Sequence, residues 1–205
     1  MANSRTSLLH ALVLGVLSLG VLASCSTGGG GRETGASTPR ANDEDNTYDQ
    51  ESVLSAAEGV FGKGAEGLAG LIEKAFADNG RPNAYIAGKE AGGGLLFALR
   101  YGNGTLHHKI EGQRPVHWTG PSVGFEAGGD AAKVFTLVYN LYDTEDIYKR
   151  FPAVEGQFYF IGGLGMNYLQ SGDVRVAQIR LGVGLRATAN VGYIKFTKEG
   201  TLNPL

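Results

Sequence analysis

The chain is poor in the residues most chemistry needs. One cysteine, Cys25, stands in 205 residues, so no disulfide can close within it. There is no basic tract: 18 Lys and Arg against 20 Asp and Glu leave a formal charge of −2. That balance argues against a nucleic-acid partner and against electrostatic docking on anionic lipid. Histidine is scarce, with His107, His108 and His117 the only three beyond Cys25, and none follows Ser122. No pair of carboxylates stands out for glycoside hydrolysis; Asp130, Asp143 and Asp146 read as turn and cap residues. The longest apolar stretch, Leu8 to Val21, is short for a membrane-spanning helix.

That stretch has the length of a signal-peptide core, and Arg5 gives it a weakly positive start. It ends in Leu22-Ala23-Ser24-Cys25, which resembles the lipobox of bacterial lipoproteins. The resemblance implies cleavage before Cys25 and lipidation of its sulfur. Residues 1–24 then form a signal peptide, and the mature chain begins at Cys25. An ordinary secretory signal with a cysteine at its boundary is the plainer alternative. Each buried methylene contributes about 0.8 kcal/mol, so two or more chains hold firmly where one holds marginally. Ser26, rather than an aspartate, follows the cysteine; by resemblance to sorted Gram-negative lipoproteins this implies the outer membrane. Residues 25–47 have no apolar periodicity and carry a glycine run with the acidic cluster Asp43, Glu44, Asp45. Such a segment reads as a flexible linker with an end-to-end distance of about 25 Å. The expected location is the periplasm, on a lipid anchor.

Residues 48–205 are enough for one domain with a real core. Between Ser52 and Asp78, Phe61, Ala65, Leu68, Ile72 and Phe76 recur at helical spacing, so the pattern predicts a core-facing helix. Gly62 to Gly64 predict a break in it, and Asn79-Gly80 before Pro82 an end. Beyond Pro82 the period changes to two. Ala177, Ile179, Leu181, Val183, Leu185 and Ala187 form one strand face, and Gln178, Arg180, Gly182, Gly184 and Arg186 the other. Further strands are expected at Tyr85–Lys89, Leu95–Tyr101, Thr105–Ile110, Val116–Trp118, Ser122–Ala127, Lys133–Asn140, Phe158–Leu169 and Val191–Thr197. Turns are expected at Gly102-Asn103-Gly104, Gly128-Gly129-Asp130 and Ser171-Gly172-Asp173. A short helix at Thr144–Phe151, capped by Asp143, interrupts the series. About nine antiparallel strands with internal glycines predict a mainly β fold. The expected form is a small barrel or strongly curled sheet with an N-terminal helical arm. The lack of regular ten-residue strands and aromatic girdles argues against an outer-membrane barrel.

Gly120-Pro121-Ser122-Val123-Gly124 matches the G-x-S-x-G pattern of serine hydrolases. That chemistry needs a strand, an elbow and a helix, with an acid and a histidine later in the chain. Here a strand follows and no histidine does. A histidine-first order would use His107, His108 or His117, with only Glu111 between them and Ser122 as an acid. Gly182-Val183-Gly184-Leu185-Arg186-Ala187 has the look of a dinucleotide loop, but it continues as a strand rather than opening a helix. His107 and His108 point to opposite faces of a strand and cannot share an ion without distortion. A metal set of His117, one of them and Glu126 is weaker than the reading as ordinary strand histidines. No catalytic, cofactor or metal residue is assigned. Trp118, Phe125, Phe135, Tyr139, Phe158, Tyr159, Phe160 and Tyr168 are expected mostly in the core. A few are candidates for an apolar pocket between helix and sheet.

Gly80-Arg81-Pro82-Asn83-Ala84-Tyr85-Ile86-Ala87-Gly88 is followed by Leu99-Arg100-Tyr101-Gly102-Asn103-Gly104 and Trp118-Thr119-Gly120-Pro121-Ser122. Val138-Tyr139-Asn140-Leu141 and Val183-Gly184-Leu185-Arg186 come after. In this order and spacing the chain, from about Gln50 to Leu205, resembles the envelope integrity protein A family. The resemblance implies a periplasmic small β-barrel needed for envelope integrity, with no assigned catalytic residues. Tyr101 to Phe151 is similar, more weakly, to the SYLF-type lipid-binding domain, which implies a lipid or glycolipid ligand. The expected function is therefore non-enzymatic: binding of a lipid, a lipopolysaccharide precursor or an envelope protein partner. A hydrolase of envelope polymers using Ser122 or a His/Glu pair, and a purely structural scaffold, are the alternatives.

Overall fold

A computed structural model describes residues 46–93, 97–123, 131–181 and 192–201. They fall in one compact unit, Thr38–Leu205. The expected signal peptide, Cys25 and the expected linker up to residue 45 lie outside the described residues, as do Phe125, Glu126, the turn expected at Gly128-Gly129-Asp130 and the Gly182–Ala187 segment.

The helical arm is two helices, α1 (Gln50–Phe61) and α2 (Leu68–Asn79). Asp49 caps α1 by accepting from the Ser52 N–H at 2.8 Å. The expected break runs from Gly62 to Gly67, and Gly80 ends α2 with its N–H on the Phe76 carbonyl. Val53, Ala57, Leu68, Leu71, Ile72 and Ala75 form the buried stripe of the two helices.

Eight antiparallel strands close into a barrel: β1 (Ala84–Gly93), β2 (Phe97–His108), β3 (Gly112–Val123), β4 (Ala132–Tyr139), β5 (Arg150–Ile161), β6 (Leu164–Ser171), β7 (Val174–Leu181) and β8 (Tyr193–Thr197). Their spatial order is β1-β2-β3-β8-β5-β6-β7-β4, with β4 returning to β1. Closure leaves no free edge among these strands, and eight strands give an interior just wide enough for side chains to fill.

The strand boundaries correct several expectations. The expected strands Leu95–Tyr101 and Thr105–Ile110 merge, over their described residues, into the single strand β2 (Phe97–His108), and Gly102-Asn103-Gly104 runs through it without turning. The reason is packing. A Cβ on Gly102 would lie 2.0 Å from the Trp118 ring, so glycine here makes room for an indole rather than a turn. Phe158–Leu169, expected as one strand, is the end of β5 and most of β6, joined at Gly162-Gly163. Both glycines have positive φ, 57° and 81°, which suits a tight hairpin. Val116–Trp118 and the start of Ser122–Ala127 are both β3, so the strands among the described residues number eight where about nine are expected. The short helix shrinks to a single 3-10 turn, Thr144–Ile147, with Asp143 accepting from the Glu145 N–H at 2.8 Å. Phe151 belongs instead to β5, where burial in the barrel outweighs the local helical signal.

Alternation sends side chains to two separate cores. Phe135, Leu137 and Tyr139 of β4, Met166 and Tyr168 of β6, and Ala177 and Ile179 of β7 face outward beneath α1 and α2. Val134, Val138, Val176, Leu169, Phe151, Ile194 and Phe196 face into the barrel. The layer between helices and sheet is filled by buried side chains, so the candidate apolar pocket there is a packed core.

Candidate functional site

The barrel interior is apolar at one end and polar at the other. The 3-10 turn plugs the apolar end with Leu141 and Ile147, above Ile86, Leu106, Val116 and Phe151. Towards the other end the inward positions become Thr136, Asn167, Gln178, Arg180, Glu90 and Arg100, all buried.

Register explains how they meet. Gln178 sits across from Asn167 on one side and Thr136 on the other. One layer further along, Arg180 sits across from Gly165 and Val134. Glu90 on β1 lies opposite Gly102, which in turn lies opposite Trp118. Glu90 gathers the polar groups. Its Oε1 accepts from Arg180 at 3.2 Å and from Arg100 at 3.4 Å, and its Oε2 accepts from the Trp118 indole N–H at 2.8 Å. Burial opposes the charge on Glu90, but the Arg100 and Arg180 guanidiniums and the Trp118 and Arg180 hydrogen bonds outweigh it. The carboxyl is held below its ordinary pKa.

Four side-chain atoms in this interior are buried with no hydrogen-bond partner among the described residues: Arg100 Nε, Asn167 Nδ2, and Gln178 Nε2 and Oε1. Native interiors leave few such atoms, and two of the three residues, Asn167 and Gln178, lie opposite each other in the register.

The histidines are structural participants. His108 closes the apolar end: its Nδ1 accepts from the Ile110 and Glu111 N–H groups at 3.3 and 3.1 Å. Its Nε2 therefore carries the proton and donates to the Leu141 carbonyl at 2.7 Å. His107 points the other way and stacks on Tyr85 at 4.6 Å, where burial lowers its pKa. His117 Nδ1 meets the Lys198 carbonyl at 3.1 Å. Glu111 accepts from the Thr144 N–H at 3.1 Å. Ser122 and His117 are both on β3, five positions apart, which is roughly 16 Å of extended backbone. The structure does not bring these two together. Among the described residues no group of three or more His, Cys, Asp or Glu could hold a metal ion.

A concavity of about 350 Å³ opens on the surface between Arg114, Pro115, Glu145, Tyr148 and Lys198. Its charges answer one another: Glu145 pairs with Lys198 at 2.6 Å and Arg114 at 3.6 Å. Exposed pairs of this kind contribute little, and none of these groups lacks a partner.

Fold and interior define the class: a closed antiparallel β-barrel with a helical pair on its outer face and a buried Glu–Arg–Arg–Trp cluster. Residues 46–205 match the model of the envelope integrity protein A family, and the chain belongs to that family. The family ties the protein to the cell envelope. A crystal structure of a beta-barrel-like, uncharacterised protein from Brucella abortus is 41% identical, with a TM-score of 0.72. The likeness covers 78% of this chain and 99% of that one. No curated protein matches. Among the described residues no helix is long and apolar enough to cross a membrane.

Glu90, Arg100 and Asn167 are not singled out by the sequence pattern. Gln178 and Arg180 are, as the polar face of a strand. The missing signal is that helices cover the apolar face of β7, so its polar face turns inward rather than to water.

Proposed function

We propose that the protein is a lipid-anchored periplasmic component of the envelope that works by binding rather than by catalysis. Cys25 carries the anchor, and the polar linker lets the barrel domain reach away from the membrane. Its ligand is an envelope component: a lipid or glycolipid, with an envelope protein as the other candidate. The observation that carries this reading is the match to an envelope-integrity family over the whole barrel domain, downstream of Leu22-Ala23-Ser24-Cys25.

Metabolic labelling with a radiolabelled fatty acid, followed by fractionation of the two membranes, tests the anchor. The wild-type chain should carry label and sediment with the outer membrane, and Cys25→Ser should lose both. A labelled Cys25→Ser chain, or an unlabelled wild type, sinks the anchor. Restoration of detergent resistance to a deletion strain by wild type but not by Cys25→Ser would tie the anchor to the envelope role.

A further inference from the structure

Among the described residues two large apolar side chains lead in exposure: Tyr142 at 82% and Ile110 at 65%, ahead of Leu181 at 53%. One imidazole joins their two turns. The Ile110 N–H donates to His108 Nδ1, and His108 Nε2 donates to the carbonyl of Leu141, the residue before Tyr142. Both turns are held. Asn83 accepts from the Leu141 N–H at 3.2 Å and donates to the Leu141 carbonyl at 2.6 Å, and Glu111 accepts from the Thr144 N–H. Apolar residues scattered singly over a surface are ordinary, whereas two held at one spot call for a partner.

The chain enters the domain at the same spot. Tyr48 donates its N–H to the Pro82 carbonyl at 2.8 Å, and Lys109 donates its own to the Asn83 carbonyl at 3.0 Å. The Lys109 ammonium lies over the Tyr48 ring at 4.8 Å. A linker ahead of Tyr48 has a typical reach of about 25 Å. The other exposed apolar residues, Leu99, Phe160, Ile161 and Leu181, sit at the opposite ends of their strands. β2 spans the barrel in 12 residues, which is about 30 Å along the axis once strand tilt is allowed for. A membrane-held linker therefore presents the Ile110–Tyr142 end to the bilayer first. Exposed charges beside the pair balance, Arg81 and Lys109 against Glu111 and Asp143, so the contact is apolar rather than electrostatic. A tyrosine, with an apolar ring and a polar tip, suits the head-group level of a bilayer.

We propose that the Ile110–Tyr142 end of the barrel docks on the lipid surface that holds the chain's own anchor. Ile110 enters the acyl boundary and Tyr142 lies among the head groups. Two side chains bind a bilayer weakly on their own, and the tether makes their contact intramolecular. Docking stands the barrel on its plugged end, with the polar end of the interior turned away from the membrane. The inference rests on the Cys25 anchor proposed above.

The test takes the chain as cells place it in the membrane and reconstitutes it in phosphatidylcholine vesicles, with and without bromine on the acyl chains. Tyr142→Trp puts a fluorescent reporter at the contact and Leu181→Trp puts one at the far end; both sites are exposed, so neither change should disturb the fold. Trp118, 3% exposed inside the barrel, gives a constant background. Bromine should quench the Tyr142→Trp reporter about twofold, since an interfacial contact reaches roughly 5–10 Å into the bilayer, and should leave Leu181→Trp unchanged. Adding Ile110→Ser to Tyr142→Trp should remove most of that quenching. Raising the salt to about 1 M should change it little, because screening acts on charges alone. Equal emission with and without bromine at position 142 overturns the docking, as does quenching at position 181 instead. A blue shift at position 142 that bromine does not quench also overturns it and gives the surface to a protein partner. If Cys25 carries no fatty acid, the same reporters are read on chain coupled through its thiol to a maleimide lipid in these vesicles, which is selective because the chain has no other cysteine. Labelling of Cys25 thus decides the anchor, and quenching decides the docking.

Discussion

The two halves of the barrel interior are stabilised by different physics. In the half closed by the 3-10 turn, Phe151, Phe196, Ile194, Val116 and Leu106 exclude water and need no partner. In the other half, Glu90 holds Arg100, Arg180 and Trp118 in directed bonds, and desolvation of the charges must be offset by those bonds. The apolar half is tolerant in direction and sensitive to volume. The polar half is the reverse: geometry and partner identity decide whether it holds together. A barrel filled only in the first way would need no directed contacts inside, whereas this one carries them around Glu90.

The largest effects should come from breaking each half in its own way. Phe151→Ala should cost about 3–5 kcal/mol through the cavity it leaves. Glu90→Ala, which removes a much less apolar side chain, should cost about as much, because two guanidiniums lose a buried partner. Urea unfolding of both variants checks this. A loss under about 1 kcal/mol for Glu90→Ala would mean that the polar half contributes little to stability.

A smaller effect is expected where the halves are joined by the indole. Gly102→Ala places a methyl against the Trp118 ring and should cost about 1–3 kcal/mol, with a matching change in tryptophan fluorescence. An unperturbed emission spectrum would show that the ring does not rest on this glycine.

Acid should sharpen the contrast. The folded pKa of Glu90 lies below its ordinary value, so its contribution is fully present above the unfolded carboxyl pKa of about 4.3. It is lost as pH falls through the folded value. Unfolding midpoints measured from about pH 7 down to about pH 3 should therefore fall more steeply for wild type than for Glu90→Gln. Parallel curves would remove Glu90 from the account of acid sensitivity.

The smallest change lies outside both halves. Asp49→Ala removes the cap on α1 and should lower the melting temperature by no more than a few degrees, leaving interior properties intact. A collapse of the fold would mean that the helical pair is essential to barrel closure.

Much of the architecture is legible in the chain. The helical stripe from Phe61 to Phe76 has one period and needs no distant partner to be recognised, and the glycines at 62, 64 and 67 mark its break. Ser171-Gly172-Asp173 turns where expected, with Gly172 at φ 60°. The departures share one cause. Gly102 and Gly104 suggest a turn because glycine's local freedom is visible in a sequence, whereas the ring resting on Gly102 comes from another strand. Gly162-Gly163 suggests a curl within one strand because nothing local distinguishes a coiled strand from a hairpin.

The chain alone determined the change of period at Pro82, the helical arm before it, the β character of the residues after it and the alternation along each strand, because these depend on neighbours a few residues apart. Only the tertiary structure decided that β4 returns to β1, that α1 and α2 cover the apolar face of β7, and that Gln178 and Arg180 therefore face inward with Glu90 and Arg100. Alternation gives a strand two faces but no inside. The inside exists only once the sheet closes, and closure joins residues as far apart as Glu90 and Arg180, whose meeting no local pattern encodes.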